Sequence, residues 1–133
     1  MNGEKLVILE NYIKLGMSPI LMEDISRDIF KNATLLEADC DESLLVGHYE
    51  GIDFVPPAWF DELMSKNISE NRLLLIPDFN KISQDEQLKF LELFKYKKIN
   101  TFELPEKTII IATASNLKEN PISEQIYSLM IHI

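Results

Sequence analysis

The chain has 133 residues, of which 46% are hydrophobic and 26% charged, and its formal net charge is −9. This length suits one domain, and the composition excludes an intrinsically disordered protein. The acidic excess lies in residues 1–70, which hold fourteen carboxylates against five Lys and Arg side chains. Because an acidic surface repels phosphate backbones, we expect no nucleic acid among the partners.

The sequence pattern gives no sign of secretion or of membrane insertion. Cys40 is the only cysteine, so no intrachain disulfide can form. The N-terminal residues lack the basic start and apolar core of a signal peptide, and no apolar run approaches the ~20 residues that span a bilayer. We therefore expect a cytoplasmic protein without membrane contact and with a single domain over residues 1–133.

Two kinds of apolar pattern alternate along the chain. Helical patterns cover residues 4–15, 57–66, 83–95 and 121–126, and short apolar runs typical of strands cover residues 19–23, 34–38, 72–77, 108–113 and 127–133. The runs LLLI and TIIIAT are apolar on both faces, as buried parallel strands are. This alternation predicts an α/β fold in which helices cover a parallel sheet.

Six segments have an order and a spacing that point to a known family. They read SPILMED, TLLEADCDESLLVGHYEG, PPAWFDELMSKN, NRLLLIPDFNKIS, FELPEKTIIIATASN and PISEQIYSLMIHI. Together they resemble the core of the AAA+ ATPases, and within that family its MoxR-like branch, over residues 12–133. The resemblance implies a P-loop NTPase fold, which has three α/β/α layers and a mainly parallel five-stranded sheet.

The segment after the first predicted strand departs from a working phosphate loop. Such a loop reads GxxxxGK[ST], and its glycines let backbone N–H groups surround the phosphates. After Met22 the chain reads EDISRDIFKNA, which contains no glycine. Its cations stand among carboxylates, with Arg27 and Lys31 beside Glu23, Asp24 and Asp28. We predict a turn and a short stub of helix that does not bind a triphosphate.

The other nucleotide-handling positions of the family are also altered. The resemblance places Pro77 at the magnesium-binding aspartate and Asp78 at the catalytic glutamate, so that Asp78 is only a weak catalytic candidate. A plainer interpretation is that the Asp78 side chain hydrogen-bonds the turn before Asn80. At the first sensor position Ser115 replaces asparagine, and Asn116 comes one residue late.

Two further parts of an AAA+ ATPase have no counterpart in this sequence. The last segment has no arginine that could serve as a finger, and no segment corresponds to the small helical lid. Phosphoryl transfer depends on positioning and on electrostatic stabilisation, which these parts supply. We therefore predict a non-catalytic interaction or regulatory module with degenerate Walker motifs, no lid domain, no cofactor and no metal. We expect a protein partner and a monomer or weak dimer.

An aromatic group and an acidic first half suggest where a partner binds. The group comprises Tyr49, Phe54, Trp59 and Phe60. Aromatic side chains of this kind serve equally well as core residues, and the sequence does not separate the two roles.

Two alternative functions stay open. The first is a residual nucleotide-binding protein or slow ATPase that depends on Asp78. The second is a phospho-acceptor switch, because the positions of Glu23, Asp24, Asp78 and Thr113 also resemble the acid cluster and switch threonine of response-regulator receiver domains. The absence of a lysine after the final strand counts against the second alternative.

Two smaller features carry expectations of their own. The acidic neighbours of Cys40 are expected to raise its thiol pKa, which predicts an unreactive thiol. Lys95, Lys97 and Lys98 surround Tyr96, and we interpret them as a solvated helix end, where cations suit the helix dipole.

Overall fold

The computed structural model describes residues 3–66, 71–100 and 102–133. The helices are α1 (Gly3–Lys14), α2 (Glu42–Val46), α3 (Ala58–Met64), α4 (Gln84–Gln87), α5 (Leu91–Tyr96) and α6 (Glu124–Tyr127). The strands are β1 (Ile20–Glu23), β2 (Thr34–Leu35), β3 (His48–Glu50), β4 (Asp53–Val55), β5 (Arg72–Ile76), β6 (Lys98–Ile99), β7 (Phe102–Glu103), β8 (Thr108–Ala114) and β9 (Ile131–His132). Three short 3-10 turns cover Arg27–Ile29, Phe79–Lys81 and Leu88–Phe90.

Five of the strands form one sheet in the order β2-β5-β8-β1-β9. Every pairing in this sheet is parallel, and Ile20 on β1 lies opposite both Ile111 and Ile131. The prediction of an α/β fold with a mainly parallel five-stranded sheet is confirmed. Since β1 lies between β8 and β9, the loops that follow β1, β5 and β8 meet at the carboxyl edge of the sheet, where α/β proteins bind ligands.

Both faces of the sheet are buried, because side chains alternate between them along each strand. On one face Leu21, Leu74 and Ile110 pack in a large cluster with aromatic residues of α3, α5 and the turns around α4. On the other face Ile20, Met22, Leu75, Ile109 and Ile111 pack in a smaller cluster that includes Leu9 of α1 and Phe30. This arrangement is compatible with three layers.

Several predicted boundaries are wrong. The helix predicted over 83–95 is divided by the 3-10 turn Leu88–Phe90, in which tighter i→i+3 hydrogen bonds interrupt the α-helical ladder. The strand predicted over 127–133 is reduced to β9, because the N–H of Tyr127 donates to the Ser123 carbonyl and closes α6. The strand predicted over 34–38 ends at Leu35.

Two hairpins lie outside the main sheet, and the apolar pattern does not predict either of them. β3 pairs with β4, and β6 pairs with β7, both antiparallel. Their strands are two or three residues long and mostly exposed, so they lack the apolar runs from which strands are recognised.

None of the helices in the described part of the chain has the length and apolar character that a membrane span needs.

Candidate functional site

The segment after β1 is a tight turn and a stub of 3-10 helix, as predicted. Asp24 adopts a left-handed backbone conformation with φ 56°, and its N–H donates to the Ala114 carbonyl at 2.9 Å. The Asp28 N–H donates to the Ser26 hydroxyl at 3.2 Å, and the Phe30 N–H donates to the Arg27 carbonyl at 3.1 Å. These three backbone N–H groups are thus bound to acceptors of the chain itself and do not converge on a ligand site.

Arg27 is held by Glu37, which lies two residues after the end of β2. Its guanidinium hydrogen-bonds the Glu37 carboxylate, whose second oxygen lies 3.3 Å from the Lys81 ammonium. The hydrogen bond from Arg27 is the main reason why the pKa of the Glu37 carboxyl is below its ordinary value. The Lys81 ammonium also lies 3.7 Å from the Asp39 carboxylate, so Arg27 and Lys81 are both paired with carboxylates of the chain.

Arg72, the second of the two arginines in the sequence, is committed to structure at the opposite end of the sheet. It is buried, and its guanidinium donates to the carbonyls of Leu63 at 3.1 Å and Glu106 at 2.6 Å. These bonds tie the amino end of β5 to α3 and to the loop before β8. Arg72 is not positioned to contact a ligand at the carboxyl edge.

Asp78 is exposed at the carboxyl end of β5, and the expectation for its side chain is wrong. Its carboxylate does not cap the following turn; instead its backbone N–H donates to the Thr113 hydroxyl at 2.9 Å. A left-handed backbone conformation, φ 49°, turns the chain directly after Pro77. Thr113 is buried, and this hydrogen bond joins it to Asp78 through the backbone of Asp78.

The acid pair of the receiver interpretation lies at the end of β1 and in the turn after it. Glu23 is half-buried and Asp24 is exposed, and the Glu23 carbonyl accepts a hydrogen bond from Lys5 at 3.0 Å. Among the residues that the structure describes, no three His, Cys, Asp or Glu side chains gather closely enough to hold a metal ion.

Two buried amide side chains join the loops after β5 and β8. The Asn80 amide nitrogen donates to the carbonyls of Ser115 and Asn120, at 2.5 and 2.8 Å. The fully buried Gln87 donates to two carbonyls, and its oxygen accepts from the Ser123 N–H at 2.7 Å. Sequence reasoning missed both residues, because an amide side chain in a helical or turn segment gives no sign that it is buried.

The four aromatic residues of the predicted surface separate into two pairs. Trp59 and Phe60 are buried in the larger core cluster, and the Trp59 indole N–H donates to the Leu45 carbonyl at 3.1 Å. Tyr49 is 70% exposed, and Phe54 is half-buried beside it. The possibility left open by the sequence is therefore resolved by position: two residues belong to the core, and two lie on the surface.

One aromatic residue missed by the sequence connects the two pairs. Phe102 of β7 stacks on Phe54 with ring centroids 4.7 Å apart, and it also contacts the ring of Phe60 at 6.4 Å. Tyr49 contacts Phe54 at 5.3 Å, so a continuous series of ring contacts runs from the hairpin surface to the core. We use the name hairpin surface for the outer rings of this series together with the neighbouring turn residue Ile52. It comprises Tyr49, Ile52, Phe54 and Phe102.

The two smaller expectations have mixed outcomes. The pKa of the Cys40 thiol is raised, as predicted, but burial is the main cause and its acidic neighbours contribute less. Lys95 and Lys98 lie over the Tyr96 ring at 5.4 and 5.6 Å. Lys97 is not a solvated cation: it is half-buried, its ammonium donates to the Thr108 carbonyl, and burial lowers its pKa.

No protein family model matches the sequence, and no curated protein is significantly similar to it. A functional assignment therefore rests on the residue patterns and on the geometry described above.

Proposed function

We propose that this protein is a non-catalytic interaction or regulatory module, built on an AAA+-like core that does not hydrolyse ATP. The observation that carries the proposal is the use of the backbone N–H groups after β1. Those of Asp24, Asp28 and Phe30 bond to the chain's own oxygens. A phosphate cradle requires several such groups to converge on the ligand, and these three would have to give up their present bonds to take part in one.

The order of the strands supports the AAA+-like part of the proposal. Counted along the chain, β1, β2, β5, β8 and β9 are the five strands of the main sheet, and the first lies between the fourth and the fifth. The resemblance to that family implies a mainly parallel sheet of five strands, and the main sheet has five strands that are all paired in parallel. The segment after β1 then occupies the position at which that family holds its phosphates.

The charges around this position oppose a triphosphate. The pKa of the Arg27 guanidinium is raised, mainly by its hydrogen bond to Glu37. The negative charges of Glu37, Asp78 and Asp28 act in the same direction. A nucleotide would have to displace Glu37 from the guanidinium while approaching the two other carboxylates. Since phosphoryl transfer depends on positioning and charge stabilisation, a site of this composition supplies little of either.

Isothermal titration calorimetry with ATP and with ADP, each with magnesium, tests the proposal. We expect no heat of binding at nucleotide concentrations that saturate an intact AAA+ ATPase measured alongside as a positive control. Binding in the micromolar range would overturn the proposal. The variant Glu37→Gln releases Arg27 from its carboxylate, so it is the variant in which any residual affinity would be largest.

The two alternatives both depend on Asp78, whose exposure at the carboxyl end of β5 is the observation in their favour. A slow ATPase predicts turnover that is lost in Asp78→Asn and retained in Asp85→Asn, a matched change at another exposed carboxylate. A phospho-acceptor switch predicts magnesium-dependent changes in the amide spectra on addition of beryllofluoride. Turnover at the level of buffer and unchanged spectra would dispose of the two alternatives respectively.

The interaction role is assigned to the hairpin surface. Tyr49 is largely exposed and Ile52, in the two-residue turn, is 96% exposed. Exposed aromatic side chains such as that of Tyr49 are enriched in protein interfaces and among the residues that dominate their binding energy. We therefore propose a protein partner in the cytoplasm, no nucleic acid or membrane contact, and a chain that is a monomer or weak dimer without its partner.

A further inference from the structure

The β3–β4 hairpin is a two-stranded sheet with a free edge. Its strands are joined by a two-residue turn at Gly51 and Ile52, so that Glu50 and Asp53 are the hydrogen-bonded pair that closes the hairpin. Pairs alternate along an antiparallel ladder, and the next pair, Tyr49 and Phe54, therefore directs its backbone N–H and C=O groups away from the partner strand.

The edge at β3 is the open one. All three residues of β3 are exposed, whereas Phe54 and Val55 of β4 are half-buried. Among the described residues, Tyr49 forms no backbone hydrogen bond outside the hairpin. Its N–H and C=O groups are thus available to an added strand, which is a recurring way of binding an extended peptide.

The hairpin also carries an uncompensated pair of charges. Glu50 and Asp53 lie directly opposite each other in the ladder, where like charges destabilise a hairpin. Within the described residues the only ion-pair partner of either carboxylate is His48, 3.3 Å from Glu50, which attracts it only when the imidazole is protonated. A cation brought by a partner would relieve this repulsion.

The sequence on both sides of the hairpin is also rich in negative charge. Between Lys31 and Lys66 the chain contains no Lys or Arg and carries eight carboxylates. Glu37 and Asp39 are ion-paired with Arg27 and Lys81, and the other six are Asp41, Glu42, Glu50, Asp53, Asp61 and Glu62. The two faces of the hairpin differ in character. Tyr49 and Phe54 share the face that packs on Phe102, and His48, Glu50 and Asp53 share the other.

We infer that β3 binds an extended partner segment in which basic residues alternate with apolar ones. Backbone hydrogen bonds to Tyr49 add the segment to the hairpin as a third strand. One side of the segment places an apolar side chain beside the ring of Tyr49, and the other side places cations beside Glu50, whose cross-strand neighbour is Asp53. This inference rests on the proposed role as an interaction module and names the chemistry of its partner.

Fluorescence anisotropy with a labelled short peptide of alternating Lys and Val tests the inference on the whole chain. We expect saturable binding that weakens on the order of tenfold in Glu50→Lys/Asp53→Lys, since charge reversal removes the attraction. The control Glu10→Lys/Glu119→Lys makes the same charge change at two exposed sites away from the hairpin and should bind like the unaltered chain. Equal weakening in both double variants would show unspecific attraction and overturn the inference.

Two further peptides decide the matter even where a variant fails to fold, because both are measured on the unaltered chain. A peptide with N-methylated backbone amides keeps its charges and side chains but cannot pair as a strand, and we expect it not to bind. A peptide with its Lys and Val residues separated into two blocks should bind far more weakly. If either peptide binds as well as the alternating one, the third-strand arrangement is wrong.

The outcome for the partner is separable from the outcome for the proposed function. If none of the peptides binds and the nucleotide titrations show no heat of binding, only the inference about β3 is overturned. Nucleotide binding overturns the proposed function regardless of the peptide. A mass in light scattering that rises with concentration, and no longer does so in Tyr49→Lys, would show that the occupant of β3 is a second copy of this chain and would equally overturn the inference.

Discussion

Polar groups are used differently at the carboxyl edge of the sheet and on the β3–β4 hairpin. At the edge, buried Asn80 and Gln87 bond to the loops beside them, and Arg27 is paired with Glu37. On the hairpin, by contrast, Glu50 faces Asp53 across the ladder without a lysine or arginine partner among the described residues, and Tyr49 is exposed. At the carboxyl edge, where an α/β fold ordinarily binds its ligand, these polar groups are bonded to other groups of the chain. On the hairpin the charges and the exposed ring are still free to bind a partner.

The division among the aromatic residues is the part of this comparison with the largest expected effect. Trp59→Ala removes a buried indole and its hydrogen bond to the Leu45 carbonyl, and we expect a loss of about 4 kcal/mol in the free energy of unfolding. Tyr49→Ala, the matched change at an exposed ring, should stay within about 0.5 kcal/mol. Urea unfolding followed by circular dichroism measures both. Similar losses for the two variants would mean that Tyr49 also belongs to the core.

Gln87 tests how firmly the carboxyl edge is tied. In Gln87→Ala the carbonyls of Ile82 and Pro121 and the N–H of Ser123 lose their partner in a site without solvent, for which we expect a loss of about 3 kcal/mol. Gln84→Ala on the same helix changes an exposed side chain and serves as the control. Chemical denaturation distinguishes them, and a loss below about 1 kcal/mol in Gln87→Ala would show that the edge does not depend on this amide.

Gly47 tests how the hairpin is attached to α2. A Cβ at this position would lie 2.5 Å from the Val55 carbonyl oxygen, and its φ of 85° is unfavourable for other residues. We expect Gly47→Ala to cost about 2 kcal/mol. Gly51→Ala shares the positive φ but has open space around it, and we expect about half of that loss. Thermal unfolding of the two variants separates steric overlap from backbone strain; equal shifts in Tm would argue against the close approach.

The ion pair at Glu37 has the smallest expected effect. A carboxyl whose pKa is lowered in the folded state stabilises the fold above its ordinary pKa of 4.5, and that contribution is lost as the pH falls through the lower folded value. Because both partners are more than one third exposed, we expect only about 0.5 kcal/mol. Urea unfolding of the unaltered chain and of Glu37→Gln should differ at pH 7 and converge once the pH has fallen below the lowered folded-state pKa of Glu37. A constant difference across this range would exclude the pair as its source.

The central strands could be predicted from the sequence because each of them is a run of consecutive apolar residues. The run from Thr108 to Ala114 is buried throughout, and a short run that is apolar on both faces and rich in isoleucine is typical of an internal parallel strand. The turn and the stub of helix after β1 were predictable for a related reason, namely that the segment before the next strand is too short to hold a loop and a full helix. Here the local pattern and the tertiary position agree.

The hairpin surface and the buried amides were not predictable in the same way. Phe54 and Phe102 belong to different hairpins, and only the folded chain brings their rings together. Gln87 is as polar in sequence as the exposed Gln84, and the difference between them arises from what packs above each residue. At Asp78 the expected hydrogen bond from the carboxylate to the following turn does not form, and the backbone N–H bonds to the Thr113 hydroxyl instead, a partner that only the folded chain brings close.

The series of ring contacts from Tyr49 to Trp59 has a spectroscopic consequence. Trp59 is the only tryptophan in the chain, and its indole is buried in the larger cluster. Its emission is therefore expected at short wavelength and should respond when Phe54 or Phe102 changes position. Occupancy of the hairpin is then readable from the intrinsic fluorescence of the protein itself, without any dye attached to either molecule.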